Sequence, residues 1–579
     1  MKRRDFFKHL VLPVTIALQG RVYQKRWGNI ALAGTHPLNT LEKANEAAAD
    51  LIIIGGGTGG CAAALAAARN GRRVIMTEET DWIGGQLSAQ AVPPDEHPWI
   101  EAFGATRAYR DFRSRVRDYY YRNYPLTAEA RTRVGLNPGN GRVSRLCFEP
   151  RVAVAVLQEM LAPYVSSGRL TILLEHKPRS TQTQGDWVKA VTVQNLRSGR
   201  ELTLTAPFII DATEPGDLLP MTGTEFVTGC ESQKETGERH APAEAQPHNI
   251  QSFTCCLAMD YVEGADHSME KPHEYEFWKA YVPSLMPAWP GPLLSWVTTD
   301  PLTMKARRHN FDPVNEDRMG GGLWTYRRIA DKRNFVEGTY AGDICLVNWP
   351  QNDYWLGHLY GISPEESARH LARAKQLSLS LLYWLQTEAP RPDGKQGWPG
   401  LRLRKDVVGT EDGLAKYPYL REARRIRAEF TVFEEHVQTE ARMQVTGRPR
   451  DEVQAAPFHD SVGVGSYRID LHPSRGGNNY IDVSALPFQI PLGALIPQRI
   501  ENLLPGGKNL GVTHITNGCY RLHPVEWNVG EAAGLLAAFC LEKKSTPRAV
   551  RRTAKLLEEF QQRIQAQGVE IHWPKLRAR

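Results

Sequence analysis

The sequence predicts an α/β fold in which a domain built on a parallel sheet is interrupted by an inserted α+β domain. A short apolar run, Leu51–Ile54, is bounded by glycine and is long enough for one buried parallel strand. An Ala-rich stretch at 61–69 has the composition of a strong helix former. The length of 579 residues exceeds one typical core, so two interleaved domains are expected.

A glycine loop joins this strand to this helix. Residues 55–60 satisfy the pattern G-x-G-x-x-G at Gly55, Gly57 and Gly60. The first glycine allows a tight turn, the second lets the backbone approach a pyrophosphate, and the third lets helix and strand pack closely. Thr58 and Gly59 lie at the helix N-terminus, where free N–H groups and a partial positive charge favour phosphate.

A second strand at 73–77 ends at Glu78, about 20 positions after Gly57, which is the spacing of the acid that binds a ribose hydroxyl. A lone glycine pattern is a weak signal, but strand, loop, helix, second strand and acid occur here in order. The alternative is a glycine loop inside another kind of α/β domain. The order of the elements favours a dinucleotide site.

Residues 81–86 indicate which dinucleotide binds. Gly84, Gly85 and Gln86 follow the acid, where flavoproteins of the glutathione-reductase type carry a Gly-Gly loop along the FAD. Here the sequence resembles the FAD-dependent oxidoreductase family, which belongs to the same broad superfamily as fumarate-reductase flavoproteins. The resemblance reaches nearly to the C-terminus. It implies that FAD is the cofactor and that Gly85 and Gln86 lie beside it. It also implies a Rossmann-type FAD-binding domain with a three-layer ββα arrangement. An NAD-dependent enzyme is the alternative.

Three later segments acquire a role through the same resemblance. The strand at 208–210 ends in Asp211, in a second flavoprotein signature next to the FAD. A strand and glycine turn at 502–510 contain Gly507. Gly530 and Glu531 begin an Ala/Leu-rich helix whose N-terminus the family places at the flavin. The dipole of this helix would stabilise the negative charge of the reduced flavin.

The resemblance also divides the chain. We expect a FAD-binding domain in two parts, residues 50–224 and 459–542, with an inserted substrate domain between them at 225–458. A C-terminal basic helix with a polar tail is expected at 543–579. Residues 419–426 match a helix that the family places before the second part. The arginines at 421, 424, 425 and 427 are expected at the solvated surface. A carboxylate or phosphate clamp is the alternative for some of them. The polar density of 459–472 suits a cleft.

Four residues are candidates for catalysis. His97 follows the flavin loop, and His514, Arg521 and His523 precede the Gly530 helix. One of the histidines would take a proton from a C–OH or C–NH group while a hydride passes to flavin N5. Two other functions remain open, namely reduction of an activated double bond and a non-catalytic flavin-binding or electron-transfer module. For His97, a surface loop with one hydrogen-bonded histidine is an equal alternative.

The reduced cofactor needs an electron acceptor other than nicotinamide, because the inserted segment contains no second G-x-G-x-x-G pattern. Dioxygen, a quinone or a small carrier is the expected partner. No C-x-x-C pattern occurs, which argues against a metal site. The net charge of +7 is mild for this length and spread along the chain, so nucleic-acid binding is not expected.

The first residues predict export. Residues 1–8 form a twin-arginine pattern, R-R-x-F-x-K, and are followed by a short, moderately apolar stretch and a small-residue cleavage site before Gly34. We therefore expect a signal peptide at 1–33, a linker at 34–49, and a periplasmic or secreted protein. The apolar stretch is far below the ~20 residues that span a bilayer, so no integral membrane span is expected.

Overall fold

The computed structural model describes residues 45–315 and 322–574, so the predicted signal peptide lies outside the described residues. The core element is a five-stranded sheet in which all neighbours are parallel. Its strands, in spatial order, are Leu503–Pro505, Phe208–Asp211, Leu51–Ile54, Val74–Glu78 and Leu170–Leu174. The early and late parts of the chain therefore share one sheet, which confirms the predicted α/β fold.

The sheet is the middle of three layers. Leu51 and Ile53 face the hydrophobic cluster that contains two helices, Thr58–Arg69 (the glycine-loop helix) and His523–Lys543 (the long helix). Ile52 and Ile54, the alternate residues, face a second sheet. That sheet consists of Glu46–Ala48, Glu201–Thr205, Trp187–Asn195 and His176–Gln184. The end of the predicted linker is thus an edge strand of this meander.

The long helix begins at His523, seven residues before the start that the sequence predicts at Gly530. A Cβ on Gly530 would lie 2.0 Å from the Gly59 carbonyl oxygen, so the two helices cross in direct backbone contact. Glu531 accepts hydrogen bonds from Trp527 and from Arg69 of the glycine-loop helix. Gly530 and Glu531 therefore join two helices.

The segment between the two halves of the sheet forms smaller antiparallel sheets around an aromatic core that includes Trp278, Trp324 and Trp398. The strands of these sheets are Arg328–Ala330, Ile344–Val347, Leu257–Tyr261 and Leu401–Leu403; Asp353–Tyr354, Phe253–Thr254 and Tyr419–Leu420; Val297–Thr299 and Ala306–Arg308; Arg425–Ile426 and Phe226–Val227; Ser461–Gly465 and Phe488–Pro491; Ile469–Leu471 and Ile481–Val483.

The helix predicted at 419–426 is wrong, because this segment contains two short strands instead, Tyr419–Leu420 and Arg425–Ile426. Arg421, Arg424 and Arg425 are buried, although the surface was expected to hold them. Each has an acid partner within 3.0 Å: Asp353, Asp217 and Glu231 respectively. A guanidinium buried at this depth must be paired, and these pairs fix the segment against its neighbours.

The remaining helices support this arrangement. They are Arg107–Asn123, Ala128–Thr132, Pro150–Ser166, Leu218–Thr222, Gln233–Thr236, Tyr275–Ala280, Gly322–Tyr326, Pro364–Thr387, Lys405–Val408, Glu434–Val437, Thr439–Thr446, His514–Tyr520, Pro547–Arg552 and Ala554–Ala566. The last of them buries Leu557, Phe560 and Ile564. Within the described ranges, no helix combines the length and apolar character that crossing a bilayer requires.

Candidate active site

The glycine loop turns sharply at the carboxyl edge of the parallel sheet. Gly55 has a φ of +103°, which L side chains rarely adopt, and a Cβ there would lie 2.2 Å from the Ala212 carbonyl oxygen. A Cβ on Gly60 would lie 2.0 Å from the Gly55 carbonyl oxygen. Gly57 is different, because its φ of −63° is ordinary and a Cβ would meet only a side-chain oxygen of Glu214 at 3.0 Å. Gly57 therefore leaves space in front of the loop.

The glycine-loop helix begins without a side-chain cap and has no acid in its first turn. Thr58, Gly59 and Gly60 are nonetheless buried. The first N–H groups of a helix lack intrahelical partners, and burying them without an acceptor is unfavourable. The N-terminus of this 12-residue helix therefore fits an anionic group such as a pyrophosphate.

Glu78 reaches from the end of its strand to the glycine loop. Its Oε2 accepts a hydrogen bond from Gly56 N at 3.0 Å, and its Oε1 accepts from both the backbone N and the hydroxyl of Thr80. Burial raises the pKa of Glu78 to about 7, and the Thr80 hydrogen bonds oppose that shift. The structure thus places the predicted ribose acid beside the loop.

Glu78→Gln is expected to stabilise the cofactor-free protein more at pH 8 than at pH 5, because the amide cannot ionise, while the loss of one acceptor oxygen costs the same at both pH values. Between pH 4.5 and about 7 the folded protein keeps a proton that the unfolded chain releases, so stability falls as pH rises through this window. The gain at pH 8 should be at most roughly 3 kcal/mol. Urea unfolding at both pH values measures it, with the exposed Glu558→Gln as control. An equal effect at both pH values would contradict the assignment.

A buried lysine lies beside the loop between two acids. Lys508 Nζ bonds Glu214 Oε2 and lies 3.5 Å from Glu526 Oε2. Burial lowers the pKa of Lys508, but Glu214 and Glu526 raise it above its usual range. Burial also raises the pKa of Glu526 to about 7, against the opposing effect of Lys508. The second oxygen of Glu214 is buried without a hydrogen-bond partner.

A narrow cleft lies beside Glu214. Its wall includes four predicted cofactor residues, namely Gly55, Gly57, Glu78 and Gly85. Gln90 also lines the cleft, and both polar atoms of its buried side chain lack a partner. Buried polar atoms are normally hydrogen-bonded, so these unpartnered atoms fit an extended polar ligand such as FAD.

Gln86 connects this cleft to the chain segment before the long helix. Its Nε2 donates to the Arg521 carbonyl oxygen at 3.0 Å and to Glu526, while its Oε1 is buried without a partner. Gly507 lies next to the same Glu526, with a Cβ position 3.3 Å from its Oε1. These contacts bring together residues that lie more than 400 positions apart in the sequence.

Asp211 uses its carboxylate to shape the neighbouring strand end. Its Oδ1 accepts from the backbone N and hydroxyl of Thr213, and its Oδ2 accepts from Leu218 N. Burial raises the pKa of Asp211 to about 7, and the Thr213 hydroxyl opposes that shift. Asp211 is absent from the cleft wall, whereas Ala212, Thr213 and Glu214 line it.

A larger cavity of about 500 Å³, which we call the arginine cavity, lies next to Arg521. Asp95, Asp470 and Asp482 are the acids in its wall, and Tyr326, Tyr419, Tyr467, Tyr480 and Trp349 are its larger aromatic residues. The arginines are Arg142, Arg307, Arg308, Arg327, Arg421, Arg468 and Arg521. Part of the 459–472 segment thus lines a cleft, in agreement with its predicted character.

Arg521 is the predicted catalytic residue that lines this cavity. Its Nη1 donates to the Tyr419 hydroxyl at 2.7 Å, and its Nη2 donates to Asp470 Oδ2 at 3.1 Å. Burial alone would raise the pKa of Asp470, but His472 and Arg521 hold it well below its usual range. Asp470 is therefore ionised and fixes the guanidinium at the wall.

His472 also lines the cavity and is oriented by a buried acid. Its Nδ1 lies 2.6 Å from Asp353 Oδ2, and Asp353 Oδ1 accepts from Arg421 at 2.8 Å. The second ring nitrogen, Nε2, lies 3.7 Å from Asp470 Oδ2, which is too long for a hydrogen bond. The side chain is 20% exposed and lines the cavity.

The structure places His97 and His514 outside the walls of both the cleft and the cavity. His97 Nε2 bonds the Gly104 carbonyl oxygen at 3.0 Å, and its ring packs against Trp99 and Trp573. Burial lowers the pKa of His97. His514 Nδ1 lies 3.0 Å from both Glu422 oxygens; burial lowers its pKa, but Cys230 and Glu422 raise it well above the usual range.

His523 stands at the start of the long helix, behind the cavity wall. Its Nδ1 accepts a hydrogen bond from Asp95 N at 3.1 Å, and its Nε2 is buried without a partner. Burial and nearby Arg327 lower the pKa of His523 to about 3, so the ring is neutral. With Nδ1 accepting, Nε2 carries the hydrogen and can act as a donor.

Sequence reasoning missed Glu214, Lys508, Glu526 and Gln90. The first two directly follow predicted strand ends and glycines, so their positions carried a usable signal. Gln90 follows the predicted Gly85-Gln86 loop by four residues, so its position also carried a signal. Glu526 lacks such a signal, because only the folded chain brings it to Gln86. His472 belongs to the polar segment that the sequence singled out, but its Asp353 partner lies 119 positions away.

Comparison with protein families matches residues 50–564 to the family described as FAD dependent oxidoreductase. Glycerol-3-phosphate dehydrogenase from Bacillus halodurans, complexed with FAD, shares 14% identity over 38% of this chain and 42% of that chain, with a TM-score of 0.23. L-Proline dehydrogenase from P. horikoshii shares 16% identity over 32% of this chain and 24% of that chain, with a TM-score of 0.18. The chain spans less than half of either structure, and no curated protein matches it.

Proposed function

The chain belongs to the FAD dependent oxidoreductase family and uses FAD, and on this basis we propose that it oxidises a small C–OH or C–NH substrate in the arginine cavity. One observation supports the location. Gln86, the sequence neighbour of the cleft residue Gly85, donates from Nε2 to the carbonyl oxygen of Arg521, whose side chain lines the cavity. One hydrogen bond therefore links the loop at the cofactor cleft to the cavity wall.

The bound FAD supplies the hydride acceptor at flavin N5. The residues of this chain bind and orient it. The N-terminal N–H groups of the glycine-loop helix, from Thr58 to Gly60, would hold the pyrophosphate, and Glu78 would accept hydrogen bonds from a ribose. Gln90, with two unpartnered polar atoms in the cleft wall, would fix the ring end.

His472 is the base in this proposal. Its Nδ1–H would donate to Asp353, which leaves the Nε2 lone pair directed to the cavity, where it can take the proton of a substrate hydroxyl. An Asp–His pair of this kind fixes the tautomer and the ring orientation. Asp353 thus positions the base.

The three histidines first considered as the base have other roles in this proposal. His514 is held in an ion pair with Glu422, and His97 packs between aromatic rings away from the cavity. His523 already uses Nδ1 as an acceptor, so it would donate from Nε2 to the cofactor. Arg521 would hold the substrate.

The electron acceptor would be dioxygen, a quinone or a small carrier, since the sequence has no second glycine pattern for nicotinamide. Export through the twin-arginine route belongs to the same proposal, because that route carries folded proteins that already hold their cofactor. Cell fractionation of the full-length chain checks the location, and a purely cytoplasmic product would exclude export.

Anaerobic mixing of the FAD-loaded protein with alcohols, hydroxy acids, sugars and amines tests the function. At least one compound class is expected to bleach the flavin absorbance, and admitted dioxygen or quinone should restore it while NAD⁺ should not. If no compound bleaches the flavin but an activated alkene reoxidises chemically reduced protein, the enzyme is a reductase. If neither reaction occurs, the chain is an electron-transfer module.

A further inference from the structure

The described wall of the arginine cavity contains more arginines than carboxylates. Seven arginines and three aspartates line it. Among the described residues, two further acids approach from behind the wall: Asp353 pairs with Arg421 at 2.8 Å, and Asp300 lies 3.6 Å from Arg307. Even with these two acids included and Arg142 left out of the count, the described residues keep an excess of positive charge.

The unpartnered hydrogen-bonding groups of the wall also favour a negatively charged ligand. Three lining arginines, Arg327, Arg421 and Arg521, each have a buried Nε–H without an acceptor. Asn348 Nδ2 and Trp349 Nε1, also of lining residues, are buried and unpartnered. All five atoms are donors, and no unpartnered buried acceptor belongs to a described lining residue. A wall of this kind favours a ligand rich in acceptors and carrying negative charge.

Tyr419 joins two of these arginines into one surface. Its hydroxyl accepts from Arg521 Nη1 at 2.7 Å, and the guanidinium of Arg421 lies over its ring at 5.0 Å. Arg421 is held in addition by Asn348 and by the Thr254 hydroxyl. Both Nη atoms of Arg421 already donate to protein acceptors, among them Ser252 and Asp353, so Arg421 contributes positive charge to the wall instead of a free N–H fork. Arg521 Nη1 donates to the Tyr419 hydroxyl and keeps a second hydrogen for an oxyanion.

The distance between this surface and the base is short. Arg421 and His472 bond the two oxygens of the same carboxylate, that of Asp353. A substrate oxyanion attracted by the charge of Arg421 therefore lies close to the carbon that reacts at His472. The cavity volume of about 500 Å³ admits a small molecule.

We propose that the substrate carries an oxyanion (a carboxylate, phosphate or sulfate) next to its reacting carbon, and that Arg521 binds this group beside the positive charge of Arg421. The inference rests on the proposed function for the identity of the reacting carbon, but the anion site itself is independent of turnover. Arg308, on the strand Ala306–Arg308 and exposed, adds positive charge to the wall.

Isothermal titration of the FAD-loaded protein with non-oxidisable probes tests the anion site. Malonate, inorganic phosphate and sulfate are compared with malonamide, a neutral analogue of malonate. At least one anion is expected to bind about tenfold or more tightly than malonamide. The anion that binds best identifies the oxyanion. Malonamide binding as tightly as every anion, or no anion binding at all, would overturn the proposal.

Variants localise the effect. Arg521→Gln should weaken anion binding about tenfold or more, and the exposed Arg308→Gln, which leaves the core untouched, should weaken it a few-fold. Arg179→Gln, an exposed arginine on the meander, is the matched control and should change nothing. Unchanged affinity in both cavity variants would contradict the site. If anions bind but no substrate bleaches the flavin, the proposed function is refuted and the anion site stands. If only neutral compounds bleach the flavin and no anion binds, this inference is refuted and the proposed function stands.

Discussion

Gly57→Val is expected to give a folded protein that has lost FAD. The φ of −63° at Gly57 suits valine, and a Cβ would meet only the flexible Glu214 side chain at 3.0 Å. The added methyl groups would occupy the space in front of the loop, where the pyrophosphate must approach the helix N-terminus. The affinity for FAD should fall about a hundredfold or more, as measured by fluorescence titration of the cofactor-free protein.

The surface variant Gly237→Asn is the matched control. Gly237 ends a short helix with φ near +70°, nothing lies within 4 Å of its Cβ position, and asparagine tolerates this conformation. The control should keep its FAD, and circular dichroism should show that Gly57→Val has kept its secondary structure. A folded Gly57→Val protein with undiminished FAD affinity would exclude the glycine loop as the pyrophosphate site.

His472→Ala is expected to slow flavin reduction by a C–OH substrate about a thousandfold, which is the typical contribution of a general base. Substrate affinity should change much less, because Arg421 and Arg521 keep their contacts. Anaerobic stopped-flow absorbance measures both effects.

Two comparisons separate catalysis from folding. His459→Ala removes an exposed histidine of the same polar segment and should reduce the flavin at the wild-type rate. Asp353→Asn leaves the base in place but weakens its orientation, so the rate should fall less than in His472→Ala. A His472→Ala protein that reduces its flavin normally would remove His472 from the mechanism.

The cofactor half of the site could be predicted because its signals are local. Strand, glycine loop, helix and acid occupy residues 51–78, and the geometry of the turn requires glycine at Gly55 and Gly60. The start of the long helix could not be predicted in the same way. Gly530 lies inside that helix, at a position where contact with Gly59 requires a glycine. In the sequence, a glycine required by such a contact looks the same as a glycine at a helix start.

The substrate half depended on contacts that no local pattern contains. Arg421 belongs to a charged run that would suit a solvated helix, yet it is buried just after a short strand, where Asp353, Thr254 and Asn348 bond it. The histidines show the same limit. Whether a histidine is a base or part of an ion pair depends on partners such as Glu422, which lies 92 positions from His514.

A crystal structure with FAD bound tests most directly whether cleft and cavity form one active site. The account predicts the pyrophosphate against Thr58–Gly60 and the flavin ring where Gln86 contacts Arg521, with one face open to the arginine cavity. A flavin ring on the far side of the parallel sheet, or one separated from the cavity by protein, would contradict it.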